Sequence, residues 1–234
     1  LLLNERYEAW ESVARKLAHE IKNPLTPIQL IIDNLRSKYL NNIEGENKEK
    51  YEGNLNIINN QIKQIENLVN EFSDFARMPK PLMKENNLNN IIINNIKLLD
   101  KLDKKIQINL KTNKKSNIIF LCDLEQMNRV FFNLIKNSID SISEKYFKNT
   151  DFKGIINIEI FKRNEYIDII IIDNGTGFKN KKKEELIKPY FTTKKNGSGL
   201  GLSIVNKIIT DHNGELKFSN YNDGAKIQIN FNLN

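Results

Sequence analysis

Two stretches of helical periodicity open the chain. In the first, Leu17, Ile21, Ile28, Leu35 and Tyr39 return at intervals of four or seven, one stripe of an α-helix. In the second, Leu55, Ile58, Ile62, Ile65, Val69 and Phe72 keep a 3-4-3-4-3 spacing, the seam of a coiled coil. The polar segment Asn41–Asn47 between them contains Gly45 and reads as a turn, so the two helices are expected to double back as an antiparallel hairpin. Leu68 and Phe75 widen the second stripe beyond what one partner helix covers. Pairing two hairpins into a dimeric four-helix bundle buries that surplus; packing against a second domain is the alternative.

Met78-Pro79-Lys80-Pro81 ends the helical pattern, because two prolines in four residues cannot continue a helix. The domain boundary is placed there, giving a helical domain over 1–80 and a second domain over 81–234. Beyond it, Ile106–Leu110, Ile118–Leu121, Ile155–Phe161 and Tyr166–Ile172 read as strands from their β-branched, alternating character. Asp123–Ser143 and Leu202–Asp211 read as helices, and Glu215–Phe218 with Lys226–Phe231 as a hairpin closed around Asn222-Asp223-Gly224. The fold class is α+β: a helical hairpin followed by a sandwich in which helices cover one face of a mixed sheet. The run Asn89–Asn95 reads as part of a bias toward Asn, Lys and Ile that pervades the chain.

Composition narrows the classes. The 234 residues are 39% hydrophobic, enough for globular cores, and no apolar run approaches the ~18 residues that span a bilayer. Leu1-Leu2-Leu3 runs straight into Asn4-Glu5-Arg6 and is too short for a signal peptide. The single cysteine, Cys122, excludes an intramolecular disulfide and fits a reducing compartment. A net charge of +7 raises nucleic acid as a partner, but the lysines are scattered among acids without an aromatic-interleaved stripe, so none is expected.

Five short segments carry chemistry. His19 stands beside Glu20, one helical turn before Asn23 and Pro24. At 100° per residue His19 lies about 200° from Leu17 and about 40° from Asn23, so His19 and Asn23 share the face opposite the apolar stripe. Asn133 and Asn137 project from one face of a helix, and amide oxygens suit Mg²⁺. Asp173 ends an apolar strand and leads into Gly175 and Gly177, an acceptor for an exocyclic amine beside backbone able to approach a flat base. Gly197-Ser198-Gly199-Leu200-Gly201 opens onto a helix whose N-terminal N–H groups attract phosphate, without the Gly-Lys-Ser/Thr of a Walker loop. Pro189–Lys194, with Thr193 and Lys194 at its end, lies in a polar stretch from Lys179 to Ser198 that suits a mobile lid over a nucleotide. His212, in Asp211-His212-Asn213-Gly214, reads as a structural turn residue.

The order of these segments resembles that of the two-component sensor histidine kinases. His19–Pro24 is similar to their phosphoacceptor box, and Asn133–Asn137 to their asparagine box. Asp173–Gly177 is similar to the first glycine box, Tyr190–Lys194 to the phenylalanine box and Gly197–Gly201 to the second glycine box. Leu17–Gln29 and Glu71–Pro81 look most like the NtrY-type nitrogen-regulation sensors. Tyr190 stands where the family often has Phe, and Ala225 follows Gly224 where related ATP-binding folds often carry Thr, which puts a phosphate contact from that strand in doubt.

The resemblance implies an ATP-binding domain of the Bergerat (GHKL) type behind a dimeric phosphotransfer hairpin. It implies that Asp173 takes the adenine amine, that Asn137 holds Mg²⁺ with Asn133 assisting, and that the backbone around Gly199 and Gly201 cradles the phosphates. His19 is then the phosphoacceptor, Glu20 its proton acceptor or orienting group, and Asn23 the residue that orients water for dephosphorylating a partner. That partner is a response-regulator receiver domain carrying the acceptor aspartate. Pro24 is expected to bend the helix just below His19. The resemblance also places the chain as the cytoplasmic portion of an inner-membrane-anchored sensor with upstream sensing segments. An ATP-binding scaffold or ATPase without histidine kinase chemistry is the alternative.

Overall fold

A long helix, α1 (Leu2–Tyr39), passes through both Pro24 and Pro27 without a break. Each proline lacks the N–H that would bond the carbonyl four residues earlier, so the carbonyls of Glu20 and Asn23 receive no backbone donor from Pro24 and Pro27. The structure is a computed structural model that describes residues 2–76, 78–101, 103, 105–112, 117–146, 152–179, 181–194 and 197–233. The chain divides into two compact units, Leu1–Pro79 with Lys194–Ser198 and Lys80–Thr193 with Gly199–Asn234.

In the first unit α1 ends in a 3-10 turn, Leu40–Asn42, and α2 (Glu46–Ala76) runs back along it. Gly45 takes φ +64 at the entry to α2, where its carbonyl accepts the Lys48 N–H at 3.0 Å. The core of the hairpin is Leu25 and Ile32 of α1 against Leu55 and Ile62 of α2, flanked by Ile21, Leu35 and Tyr51. Ala18 extends this row on α1, and Val69 and Ala76 extend it on α2, at spacings of seven. This corrects the expected stripe of α1. Leu17, Ile28 and Tyr39 are 44%, 41% and 51% exposed, because the face against α2 is set by Ala18-Leu25-Ile32, one residue round. On α2 half of the expected seam is buried, while Ile58 and Ile65 remain exposed.

The second unit begins with β1 (Lys84–Asn87) and α3 (Leu88–Leu99), neither anticipated from the sequence. The Asn87 side chain caps α3 by accepting the N–H groups of Asn89 and Asn90. The run dismissed as bias is a helix that buries Leu88, Ile91, Ile92, Asn95 and Leu99, an i, i+3, i+4, i+7, i+11 face. β1 pairs antiparallel with β3 (Ile119–Cys122).

The main sheet has the order β2 (Ile106–Thr112), β4 (Gly154–Lys162), β5 (Tyr166–Asp173), β7 (Gly224–Asn232), β6 (Gly214–Tyr221). β2 runs parallel to β4; the other pairs are antiparallel. α4 (Leu124–Tyr146) packs on β4 and β5, α6 (Gly201–Asp211) on β6 and α4, and α3 on α4. A short α5 (Lys183–Leu186) lies between β5 and α6 in the chain. Ile156, Ile158 and Ile160 of β4 meet Ile167, Ile169 and Ile171 of β5 in a buried layer under α4. Period-two alternation carries Asp173 onto that same inner face, a carboxylate at the end of a row of isoleucines.

His212 ties the helices together at the other end of α4. Its Nε2 accepts the Asp123 N–H at 3.0 Å, and Nδ1 lies 2.8 Å from the Ile208 carbonyl, an arrangement only the Nδ1-protonated neutral ring satisfies. Asp123 in turn caps α4 through the Gln126 N–H and holds the Leu82 N–H at 2.8 Å. The turn residue expected at His212 is thus a buried polar tie.

Candidate functional site

In the first unit His19, Glu20 and Asn23 are all exposed, while Ala18 beside them faces α2. Glu20 lies 3.9 Å from Lys16 Nζ, an exposed ion pair one turn earlier. Such exposed pairs contribute little to stability.

In the second unit the site is built on Asp173. Its side chain is 5% exposed and takes three donors: the Gly175 N–H on Oδ1 at 2.9 Å, the Ala225 N–H on Oδ1 at 3.4 Å and the Ser138 hydroxyl on Oδ2 at 2.9 Å. Burial pushes its pKa above the ordinary carboxylate value; those donors and the nearby Lys145 ammonium pull it back without cancelling the rise. The strand position of Ala225, doubtful as a phosphate contact, therefore serves Asp173 through its backbone.

The turn after Asp173 is pressed against α4. A Cβ on Gly175 would run into the Ser141 hydroxyl and lie 2.8 Å from the Ser141 carbonyl carbon. The Ser141 hydroxyl accepts the Thr176 N–H at 2.9 Å, and Lys145 Nζ donates to the Asn174 and Gly175 carbonyls at 3.0 and 3.1 Å. Asn174 fastens the turn to β4, accepting the Ile155 N–H and donating to the Lys153 carbonyl, both at 2.8 Å. Gly177 takes φ +65 and would bring a Cβ within 2.9 Å of Asn220 Oδ1.

The amide pair sits at the opening of α6. A Cβ on Gly201 would lie 3.3 Å from Asn133 Oδ1 and 3.9 Å from Asn137 Nδ2, so both amides face the start of that helix. Asn133 Nδ2 is tied to the Arg129 carbonyl at 2.9 Å, which turns its oxygen toward Gly201. Leu200, the N-cap of α6, is buried and offers no side-chain cap, so the first N–H groups of α6 have no side-chain acceptor from the cap position. Gly199 takes φ +72 with the Tyr190 and Phe191 backbone against the place a Cβ would occupy. Thr193 is exposed, and Lys194 and Gly197 are half-buried, with the Gly197 N–H 3.4 Å from the Lys194 carbonyl. Of the expected lid, Asn180, Lys195 and Asn196 lie outside the described residues.

The structure thus gathers Asp173, Gly175, Gly177, Asn133, Asn137, Thr193, Gly199, Leu200 and Gly201 in one unit, while His19, Glu20 and Asn23 fall in the other, and so do Lys194 and Gly197 of the expected phosphate loop. Sequence reasoning missed Ser138, Ser141 and Lys145. Their signal was present: together with Asn133 and Asn137 they form a polar stripe along α4, i, i+4, i+5, i+8 and i+12. The donor set suits a nucleotide and Mg²⁺: a buried acceptor for an amine, amide oxygens for a hard cation, and helix N–H groups for phosphate.

Two family models match the chain: His Kinase A (phospho-acceptor) domain over residues 9–81, and Histidine kinase-, DNA gyrase B-, and HSP90-like ATPase over residues 122–234. A sensor histidine kinase NtrY-like protein of Rickettsia typhi is 36% identical over 234 residues, all of this chain and 38% of that protein. The nitrogen regulation protein NtrY of Azorhizobium caulinodans is 33% identical over 233 residues, again 100% of this chain and 30% of that protein. The chain therefore spans 38% and 30% of the length of these two curated relatives. Among solved structures, histidine kinase ThkA in complex with response regulator protein TrrA aligns over 99% of this chain and 64% of that one, with a TM-score of 0.67 at 24% identity, a likeness of fold. The helical hairpin followed by an α/β-sheet ATPase domain is the fold these relatives share with it.

Proposed function

The chain belongs to the two-component sensor histidine kinases of NtrY-like type, and from that premise we propose that it is the phosphotransfer and ATP-binding core of such a sensor. ATP held in the second unit phosphorylates His19, and the phosphoryl group passes to an aspartate of a response-regulator receiver domain. The observation that carries this reading is the pairing, in one chain, of an outward imidazole flanked by a carboxylate and an amide with a buried acceptor beside an amide pair at an uncapped helix N-terminus.

In this account Asp173 accepts the adenine amine, and Gly175 and Gly177 let the backbone pass close to the base. The backbone of Gly199, Leu200 and Gly201 cradles the phosphates, with Thr193 in the same unit. Asn137 would hold Mg²⁺ with Asn133 assisting; the ion, when bound, neutralises phosphate charge. A ring nitrogen of neutral His19 bonds to the γ-phosphorus as its bond to the bridging oxygen breaks, and ADP leaves with that electron pair. Glu20 takes the proton from the other ring nitrogen. Asn23, one turn on, orients water for the reverse-direction activity, hydrolysis of the regulator's acyl phosphate.

The exposed Leu17, Ile28, Ile31, Ile58, Ile65 and Leu68 support pairing of two hairpins into a four-helix bundle, since a lone hairpin leaves them wet. Among the described residues no helix is long and apolar enough to cross a membrane. We place this core on the cytoplasmic side of a membrane-anchored sensor. The direct experiment is incubation with γ-³²P-ATP and Mg²⁺. Acid-labile, alkali-stable label is expected on the wild type and is lost in His19→Gln and Asn137→Asp. Label undiminished in His19→Gln overturns the reading.

A further inference from the structure

Asp173 has about four lone-pair positions on its two carboxylate oxygens. Among the described residues, the Gly175 and Ala225 N–H groups occupy both positions on Oδ1, and the Ser138 hydroxyl occupies one on Oδ2. One acceptor position is left, and it belongs to Oδ2. Ser138 is 2% exposed and follows Asn137 directly on α4, so its Oγ is fixed by the same helix that carries the amide pair. A hydroxyl has one proton, and here that proton is committed to Asp173. Nearby, Lys145 donates to the Asn174 and Gly175 carbonyls, and the Thr176 N–H to the Ser141 hydroxyl.

We propose that Ser138 is a positioning residue for base selection, locking the Asp173 carboxylate so that a single Oδ2 acceptor faces the nucleotide and favours 6-aminopurines over 6-oxopurines. This rests on the reading of the second unit as an ATP site. A 6-amino group supplies the proton the remaining lone pair needs. A 6-oxo group sets oxygen against carboxylate and forfeits that bond. Sites built around a buried hydrogen-bonding group reject the analogue that lacks the partner far more strongly than apolar pockets do. Ser138 acts only through Asp173, so removing its hydroxyl should penalise the amine reading alone.

The test is isothermal titration of the full chain with Mg·ATP and Mg·ITP, whose bases differ in the 6-substituent, amine against oxygen, and in the proton that the 6-oxo base carries on N1. The wild type is expected to prefer ATP by about a hundredfold or more. In Ser138→Ala the ATP Kd rises about tenfold while the ITP Kd changes less than about twofold, so the ratio narrows; Ser138→Thr restores it. Ser138→Cys, a weaker donor of similar size, narrows the ratio in the same direction and serves if the alanine variant does not fold. Equal weakening of ATP and ITP binding makes Ser138 merely structural, and an unchanged ratio in both variants equally overturns the proposal. Failure of the wild type to bind Mg·ATP overturns the underlying site reading instead.

Discussion

Asp173→Asn separates what the buried carboxylate does for the fold from what it does for the nucleotide. Asparagine keeps an oxygen for the Gly175 and Ala225 N–H groups, and the Ser138 hydroxyl can turn to accept from the new amide. It also removes a charge that burial disfavours, so the fold should change by no more than about 1 kcal/mol. Binding is another matter. The substitution removes a charge-assisted bond to the adenine amine, about 1.5–3 kcal/mol, and sets donor against donor, about 1–3 kcal/mol more. Together these are about 2.5–6 kcal/mol, roughly two to four orders of magnitude in Kd. The pH dependence carries a sign. Because the folded pKa of Asp173 is raised, the stability linked to it is present below the ordinary carboxylate range and is lost as pH rises through the raised value. The melting temperature of the variant should therefore gain on the wild type as pH rises from the ordinary carboxylate range through the raised value, while wild-type ATP affinity falls as pH drops through it. Calorimetric titration with ATP and thermal unfolding across that range measure both. An ATP Kd within about threefold of wild type would refute the assignment of Asp173 as the adenine acceptor.

Three further outcomes follow from the packing. Gly175→Ala forces a methyl against the Ser141 backbone and should cost about 1–3 kcal/mol in denaturant unfolding, with weakened nucleotide binding; a neutral variant would mean the turn is not held against α4. Ile32→Ala opens a void between Leu25, Leu55 and Ile62 and should lower stability of the hairpin by about 2–5 kcal/mol, whereas Leu17→Ala in a monomer should cost far less; equal losses would contradict the buried face described for α1. Cys122 is fully buried and its thiol is pushed up to about 11, chiefly by burial, so native protein at neutral pH should resist iodoacetamide until denaturant is added; rapid labelling of the native state would contradict this.

Much of the architecture is legible in the sequence because local patterns carry it. The 3-4 spacing on α2 and the alternation in β4 and β5 mark those elements directly, and Asp123–Ser143 falls within α4 but for its first residue. The face of α1 was misdrawn because counting large apolar residues passes over Ala18, whose small side chain lets the helices approach. β1, Lys-Glu-Asn-Asn, has no alternation to detect; pairing with β3, some thirty-five residues on, makes it a strand. The site divides the same way. Asp173 and its glycines announce themselves at the end of a strand, but the hydroxyl that holds the carboxylate lies 35 residues earlier on another element, and no local pattern links the two.

The central claim is that His19 receives the γ-phosphoryl group of ATP, and locating the phosphoryl group tests it most directly. The chain has two histidines, and the other, His212, is buried with both ring nitrogens engaged. After reaction with Mg·ATP and tryptic digestion at neutral or alkaline pH, mass spectrometry should find one phosphoryl group on the peptide Leu17–Lys22, fragmenting to the His19 ring and disappearing after acid treatment. Phosphate found only on His212, or on a serine, threonine or aspartate with Leu17–Lys22 unmodified, would contradict the account.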